Sequence, residues 1–167
     1  MMSDPGDTVG PMSGGAGDHS GMGFGSVDEA DYLTTMVAHH LDAIVAARQL
    51  ARSPTPAMRR FGRQIVRDQS RQVRQMNRWL DRWHPDATVS DYEPMMGDFS
   101  ALAGRDLDRE FLEQMIPHHM IAVMASHRLL HHGARLHRVV TGLAYAIIDQ
   151  QTAEIVWMRR RLTETDR

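Results

Sequence analysis

Apolar positions recur at intervals of three and four, the spacing of one helix face, in four separate stretches of the chain. The first runs through Leu33, Met36, His40, Ala43 and Ala47 and predicts a helix from near Ser26 to about Ala51. Ser26 and Glu29 stand at capping-box spacing, and Asp28, Glu29 and Asp31 suit a positive helix start. Ser53, Pro54, Thr55 and Pro56 then read as a stop and restart, with Thr55 as N-cap and Pro56 as first helical residue. The second helix runs to about Trp83, with an inward seam of Met58, Gly62, Ile65, Gln69, Gln72, Met76, Trp79 and Trp83. Its other side carries Arg60, Arg63, Arg67, Arg71, Arg74, Arg78 and Arg82, which reads as a solvated face. Residues 84–104 form a long connection with a turn expected at Phe99–Leu102. The third helix is expected from Asp106, as cap, to His132, with Pro117 inside it and Gly133 as its stop. The fourth covers Arg135 to Leu162, with Leu143, Ala144, Ile147, Ile148, Gln151, Ile155, Met158 and Leu162 inward.

These helices come in two copies. Tyr32-Leu-Thr-Thr-Met36-Val-Ala-His39-His40-Leu-Asp-Ala43-Ile44 returns as Phe111-Leu-Glu-Gln-Met115-Ile-Pro-His118-His119-Met-Ile-Ala122-Val123, at an offset of 79 (115 − 36). Ile65, Gln69, Gln72, Val73 and Met76 return as Ile147, Gln151, Glu154, Ile155 and Met158, at an offset of 82 (151 − 69). The repeated unit is therefore a helical hairpin. Short turns make each hairpin antiparallel and the long connection joins them, which predicts an all-α, four-helix bundle built by internal duplication. One bundle domain is expected over residues 26–165: repeat 1 over about 26–83, the connection over 84–104, and repeat 2 over about 105–163. Residues 1–25 are rich in Gly, Ser, Asp and Met, bury almost nothing, and are expected to be a disordered tail.

Composition narrows the chemistry. A formal charge of −2 over 167 residues gives no global attraction to nucleic acid or a membrane surface. No apolar run approaches the ~18 residues of a membrane span, and the N-terminus lacks a charged-then-apolar signal stretch. Cysteine is absent, which excludes disulfides, thiolate sites and c-type haem attachment. Met (13) and His (10) are abundant. No catalytic constellation or glycine-rich phosphate loop stands out, so an enzyme is not expected.

At about 100° per residue, Met36, His39 and His40 share one helix face, as do Met115, His118 and His119. The partner seams add Gln69, Gln72 and Met76, and Gln151, Glu154 and Met158. A bundle core rarely holds such polar groups without a partner. Two readings stand. The histidines form a buried polar layer with the Gln and Glu side chains, in a bundle that acts through protein contacts such as the Arg stripe or Met95 and Met96. Alternatively, Met36, His39, His40, Met76, Met115, His118, His119 and Met158 bind a metal, and Gln69, Gln72, Gln151 and Glu154 orient the imidazoles. No Glu has His three residues on, which disfavours a carboxylate-bridged di-iron site. Thioether with imidazole and no thiolate points to copper, with Cu(I) or Ag(I) favoured by Met. Met120, Met124, His127 and His131 are further candidate ligands, and the last two also fit an incidental solvent-facing set. Neutral imidazole is required, so binding is expected to weaken as pH falls through ~6.5.

The doubled Met-x-x-His-His-x-x-Ala, with Gln-x-x-Gln/Glu-(Val/Ile)-x-x-Met, resembles the bacterial domain of unknown function 305 over about residues 28–162. That resemblance implies a ferritin-like bundle, exported or membrane-anchored, in a family with members linked to copper binding or resistance. The expected function is therefore copper storage, trafficking or resistance in the cell envelope. Met124 matches the family where the first copy has Val45, and Gln72 stands opposite Glu154, so the first site is expected to be the weaker. No feature of the sequence supports a homo-oligomer.

Overall fold

The computed structural model describes residues 28–88, 90–133 and 135–165. The expected disordered tail therefore lies outside the described residues. Four helices follow in order: α1 (Glu29–Gln49), α2 (Pro56–Trp83), α3 (Gly104–His132) and α4 (Arg138–Thr165), with a 3-10 turn, Leu50–Arg52, closing α1. No strand occurs among the described residues. The all-α bundle read from the periodicity is the fold observed.

The helix ends differ in detail from expectation. The α1 cap is Asp28, whose carboxylate accepts from the backbone N–H groups of Ala30 (2.8 Å) and Asp31 (3.3 Å). Ser26, the expected partner of Glu29 in a capping box, lies outside the described residues, and the Glu29 carboxylate reaches across the bundle end to His84 and His137. Thr55 holds the cap position of α2, but its hydroxyl donates to the buried Asp108 carboxylate at 2.7 Å instead. Helix α3 starts two residues before Asp106: Ala103 is the cap and Gly104 takes φ +63°, a conformation cheap only for glycine. Asp106 lies in the first turn, where its charge still suits the helix start. The helix runs unbroken through Pro117. Gly133 ends it in extended backbone, φ −68°, so the glycine is needed for space and not for a left-handed turn. A Cβ there would lie 2.5 Å from the Leu129 carbonyl oxygen. Arg135, expected to begin the last helix, has φ 59°, and α4 begins only at Arg138.

Packing follows the seams. Met58, Gly62, Ile65, Gln69, Gln72 and Met76 are buried along α2, and all seven arginines of its other side are exposed. Along α4 the buried set is Val140, Leu143, Ala144, Ile147, Gln151, Glu154, Ile155 and Met158, while Ile148 and Leu162 are half-buried. Two apolar clusters fill the bundle. One joins the C-terminal half of α1 to the N-terminal halves of α2 and α3 and the end of α4, through Leu50, Met58, Phe61, Phe111, Met115 and Met158. The other joins the opposite halves, through Tyr32, Leu33, Met36, Met76, Leu129, Val140 and Ile147. This pairing of halves makes α1 antiparallel to α2 and α3 antiparallel to α4. The connection after α2 turns at Phe99, whose carbonyl accepts from the Leu102 N–H at 3.0 Å, and buries the Phe99 ring. Among the described residues, no helix is long and apolar enough to cross a membrane.

The α1–α2 hairpin closes tightly at Gly62. A Cβ at that position would sit 2.7 Å from the Ala47 carbonyl oxygen and 2.9 Å from Leu50 Cβ. Backbone cannot yield as a flexible side chain can. Gly62→Ala is therefore expected to destabilise the fold by about 1–3 kcal/mol, despite its better helix propensity. Urea unfolding checks this; an unchanged or raised midpoint would show that the hairpin does not need the close approach.

Candidate metal centre

Between the two apolar clusters lies a layer of polar side chains. His39, His40, His118 and His119 are each 0% exposed, and Gln69, Gln72, Gln151 and Glu154 are buried with them. His39 and His40 come from the middle of α1, and His118 and His119 from the middle of α3. Adjacent histidines in a helix are about 100° apart, so both can face inward only where two neighbouring helices lie on that side. The small side chains Ala43 and Ala122, both buried, follow one turn later.

The two copies make the same contact. His40 Nε2 donates to Gln72 Oε1 at 2.8 Å, and His119 Nε2 donates to Glu154 Oε2 at 2.7 Å. A chain of bonds joins them: Gln72 Nε2 donates to Gln150 Oε1 at 3.3 Å, and Gln150 Nε2 donates to Glu154 Oε1 at 3.0 Å. All donors in this chain point toward the Glu154 carboxylate, which sets the tautomer of both imidazoles. At the interface of the hairpins, His39 lies against His118 with ring centroids 3.7 Å apart and planes tilted by 31°, and its Nε2 donates to the His118 carbonyl at 3.0 Å. His118 Nε2 faces the Asp42 carboxylate at 3.3 Å and the Tyr92 hydroxyl at 3.5 Å.

Asp42 and Tyr92 were not among the residues expected here. Asp42 Oδ2 also accepts from the Tyr92 hydroxyl (3.0 Å) and from the backbone N–H groups of Met95 (2.8 Å) and Met96 (3.1 Å). It thus pins the long connection onto α1. A sequence signal existed: the second copy has Ile121 at the matching position, so Asp42 is polar where the repeat is apolar. Tyr92 carried no such signal, because the connection has no counterpart in the repeat.

Burial governs the charge state. It lowers the pKa of His39 well below the ordinary histidine value, helped by the neighbouring histidines. It pushes His40 down to about 3, against the bond to Gln72. It also lowers His118, against the opposing pull of Asp42. Burial works to raise the Asp42 carboxyl, but the bonds from His118, Met95 and Met96 outweigh it and hold the group below the usual range. Burial therefore favours the neutral form of His39, His40 and His118 and moves their protonation to lower pH than that of an exposed histidine.

Of the expected ligands, Met36, Met76, Met115 and Met158 are all 0% exposed, Met36 and Met76 in one apolar cluster and Met115 and Met158 in the other. Of the groups expected to orient the imidazoles, Gln72 and Glu154 do so, while Gln69 and Gln151 do not: both amides are buried with no hydrogen-bond partner among the described residues. Met120 and Met124 are 40% and 61% exposed, on the outward side of α3 with the exposed His127 and His131. They are outside the buried layer, since positions 120 and 124 lie across the helix from 115 and 119. Val45 is likewise 62% exposed, so the Val45/Met124 difference leaves the core unchanged. The donor set suits a soft ion better than a hard one. The second ring nitrogens of His118 and His119, both Nδ1, are buried without a hydrogen-bond partner among the described residues. The histidine, aspartate and glutamate atoms of this layer nowhere gather three within 4.8 Å of one another. A metal held here would need the thioethers to complete its ligands.

An all-α bundle with a histidine-rich core flanked by buried methionines is the class that fold and site define. The family described as "Domain of unknown function (DUF305)" matches residues 29–162, and the chain belongs to it. No curated protein matches by sequence. Among solved structures, CopM in its Cu(I)-bound form is 34% identical, with a TM-score of 0.69 over 81% of this chain and 95% of that one. CopM in an Ag-bound form is 32% identical, with a TM-score of 0.71 over 82% and 96%. A presumed secreted DUF305 protein of Streptomyces coelicolor shares the fold, at 24% identity and a TM-score of 0.73 over 84% and 94%.

The depressed histidines predict an acid-labile fold. Each binds a proton more readily unfolded than folded, so the stability it lends is complete above ~6.5 and is lost as pH falls from there toward the folded value. For His40 that window runs from ~6.5 down to about 3. Its share of the loss approaches about 1.4 kcal/mol per pH unit. Denaturant unfolding at pH 7, 6, 5 and 4 should show midpoints falling steadily; a flat profile across this range would mean that the imidazoles are not desolvated.

Proposed function

We propose that this protein binds copper as Cu(I), and Ag(I) in its place, in the central histidine layer, as a storage, trafficking or resistance module of the cell envelope. The observation that carries this reading is the pair of buried, unbonded Nδ1 atoms on His118 and His119 in a core that also buries Met115 and Met158. Imidazole nitrogen and thioether sulfur are ligands that suit Cu(I), and the absence of thiolate and of a Glu-x-x-His pattern argues against zinc and di-iron chemistry. Support comes from CopM, whose solved forms include Cu(I)-bound and Ag-bound ones. The proposed ligands are Met115, His118, His119 and Met158 in the second copy, and Met36, His39, His40 and Met76 in the first. Glu154 and Gln72 hold the tautomer that leaves Nδ1 for the metal. The envelope location rests on the family resemblance.

A second reading has its own support. The directed chain from His40 through Gln72 and Gln150 to Glu154 and His119 already satisfies much of the layer, as a purely structural polar core would. Titration of Cu(I) against a competing chelator separates the two. Met115→Leu removes one thioether at nearly constant volume, so folding should change by less than about 1.5 kcal/mol. The expected result is copper affinity at least tenfold weaker in Met115→Leu, with lost stoichiometry in His118→Ala/His119→Ala. Wild-type affinity and stoichiometry in both variants would leave the layer as structural.

A further inference from the structure

A second cluster of donor atoms lies at the end of the bundle where α1 begins. It draws on three separate elements: Glu29 from the first turn of α1, His84 just after α2, and His137 just before α4. Glu29 Oε1 accepts from His84 Nε2 at 3.0 Å and from His137 Nδ1 at 2.6 Å. Its other oxygen accepts from the His137 backbone N–H at 2.7 Å, which turns Oε1 toward the two rings. The three donor atoms lie within 4.8 Å of one another, the only such group of three among the described residues. Glu29 is 5% exposed, while the side chains of His84 and His137 are 25% and 42% exposed. The His137 ring is held flat against Trp83, with centroids 3.8 Å apart and planes 3° apart. One side of the cluster is therefore rigid and buried, and the other opens to solvent.

We propose that Glu29, His84 and His137 form a second metal site, selective for a divalent ion of the Zn(II) or Cu(II) kind and distinct from the central layer. Two imidazoles and a carboxylate with no sulfur are borderline-to-hard donors, which favour such ions over Cu(I). Around a tetrahedral ion with bonds of about 2.0–2.2 Å, donor atoms stand roughly 3.3 Å apart. The present separations of 3.0 and 2.6 Å from Glu29 approach that value, and the two ring nitrogens lie within 4.8 Å of each other. Three protein ligands with an open fourth position leave room for water on the exposed side. Burial works against the charged carboxylate of Glu29, but the bonds from His84 and His137 favour it and hold the group below the usual carboxylate range. Binding at these two nitrogens would shift the proton of each neutral ring to its other nitrogen, so that the metal takes the place of the hydrogen bond to Glu29. Because the ligands come from three elements, the ion would clamp this end of the bundle.

The test is titration of the full chain with Zn(II) and with Cu(II), following stoichiometry, Trp fluorescence and Tm, in wild type, His84→Ala/His137→Ala and Glu29→Gln. Met12, His19 and Met22 in the N-terminal segment are common to all three and cancel in the comparison. The wild type should bind one more Zn(II) equivalent than the double variant. Cu(II) should quench fluorescence through Trp83 in the wild type alone. A hundredfold excess of Zn(II) over Kd should raise the wild-type Tm by roughly 5 °C or more, and Glu29→Gln should weaken binding at least tenfold. Ag(I) binding should be unchanged in both variants, so loss of the central site and loss of this one read separately. Should the double variant fail to fold by circular dichroism, Glu29→Gln, which keeps the side chain's shape, decides alone. Equal Zn(II) stoichiometry and affinity in wild type and Glu29→Gln would overturn the proposal.

Discussion

Four imidazoles are held in the middle of this bundle with no access to water. An imidazole can be buried cheaply only when neutral, and only when its N–H has somewhere to go. The structure meets both demands with a small set of acceptors: the Glu154 carboxylate, the Gln72 amide, the His118 carbonyl and Asp42. Each acceptor takes the Nε2 proton and so leaves Nδ1 as the lone-pair nitrogen. The same bonds that make burial tolerable therefore fix the tautomer of each ring. The apolar clusters on either side close the layer off and place buried methionines at its edges.

The two copies of the hairpin are not equivalent in this layer. The second has a carboxylate, Glu154, where the first has the amide Gln72, and the bond chain runs from the first copy toward the second. Asp42 adds a second carboxylate, but it comes from the first copy and serves His118 of the other. Both negative groups thus converge on the α3 histidines. Through Asp42 the central layer is also coupled to the long connection, whose Met95 and Met96 amides share the same oxygen. The connection is in this way a support for His118 as well as a link between hairpins.

Glu29 shows how one end of the bundle is assembled. By local sequence it belongs to a helix cap, and Asp28 beside it performs that task. Released from capping, Glu29 gathers two histidines separated from it by 55 and 108 residues. The long reach, together with the ring of Trp83 against His137, ties the start of α1 to the end of α2 and the approach to α4.

The sequence by itself determined the helices, the seams and the central layer. Periodicity and repetition are local properties, and a Met-x-x-His-His pattern returning at a constant offset places both histidine pairs on inward faces before any helix is packed. Gln72 and Glu154 were legible in the same way, as polar residues in an otherwise apolar seam. What tertiary structure decided was which polar group meets which. Gln69 and Gln151 share the seam with Gln72 and Glu154, yet have no hydrogen-bond partner among the described residues, because one turn along a helix changes the facing neighbour. Met124 was a further candidate by its match to the family pattern, and the helical rotation places it on the exposed side of α3. Asp42 found His118 only through the docking of one hairpin on the other. Glu29, His84 and His137 have no common motif, since contacts over such separations are set by how helix ends meet, and no spacing along the chain records them.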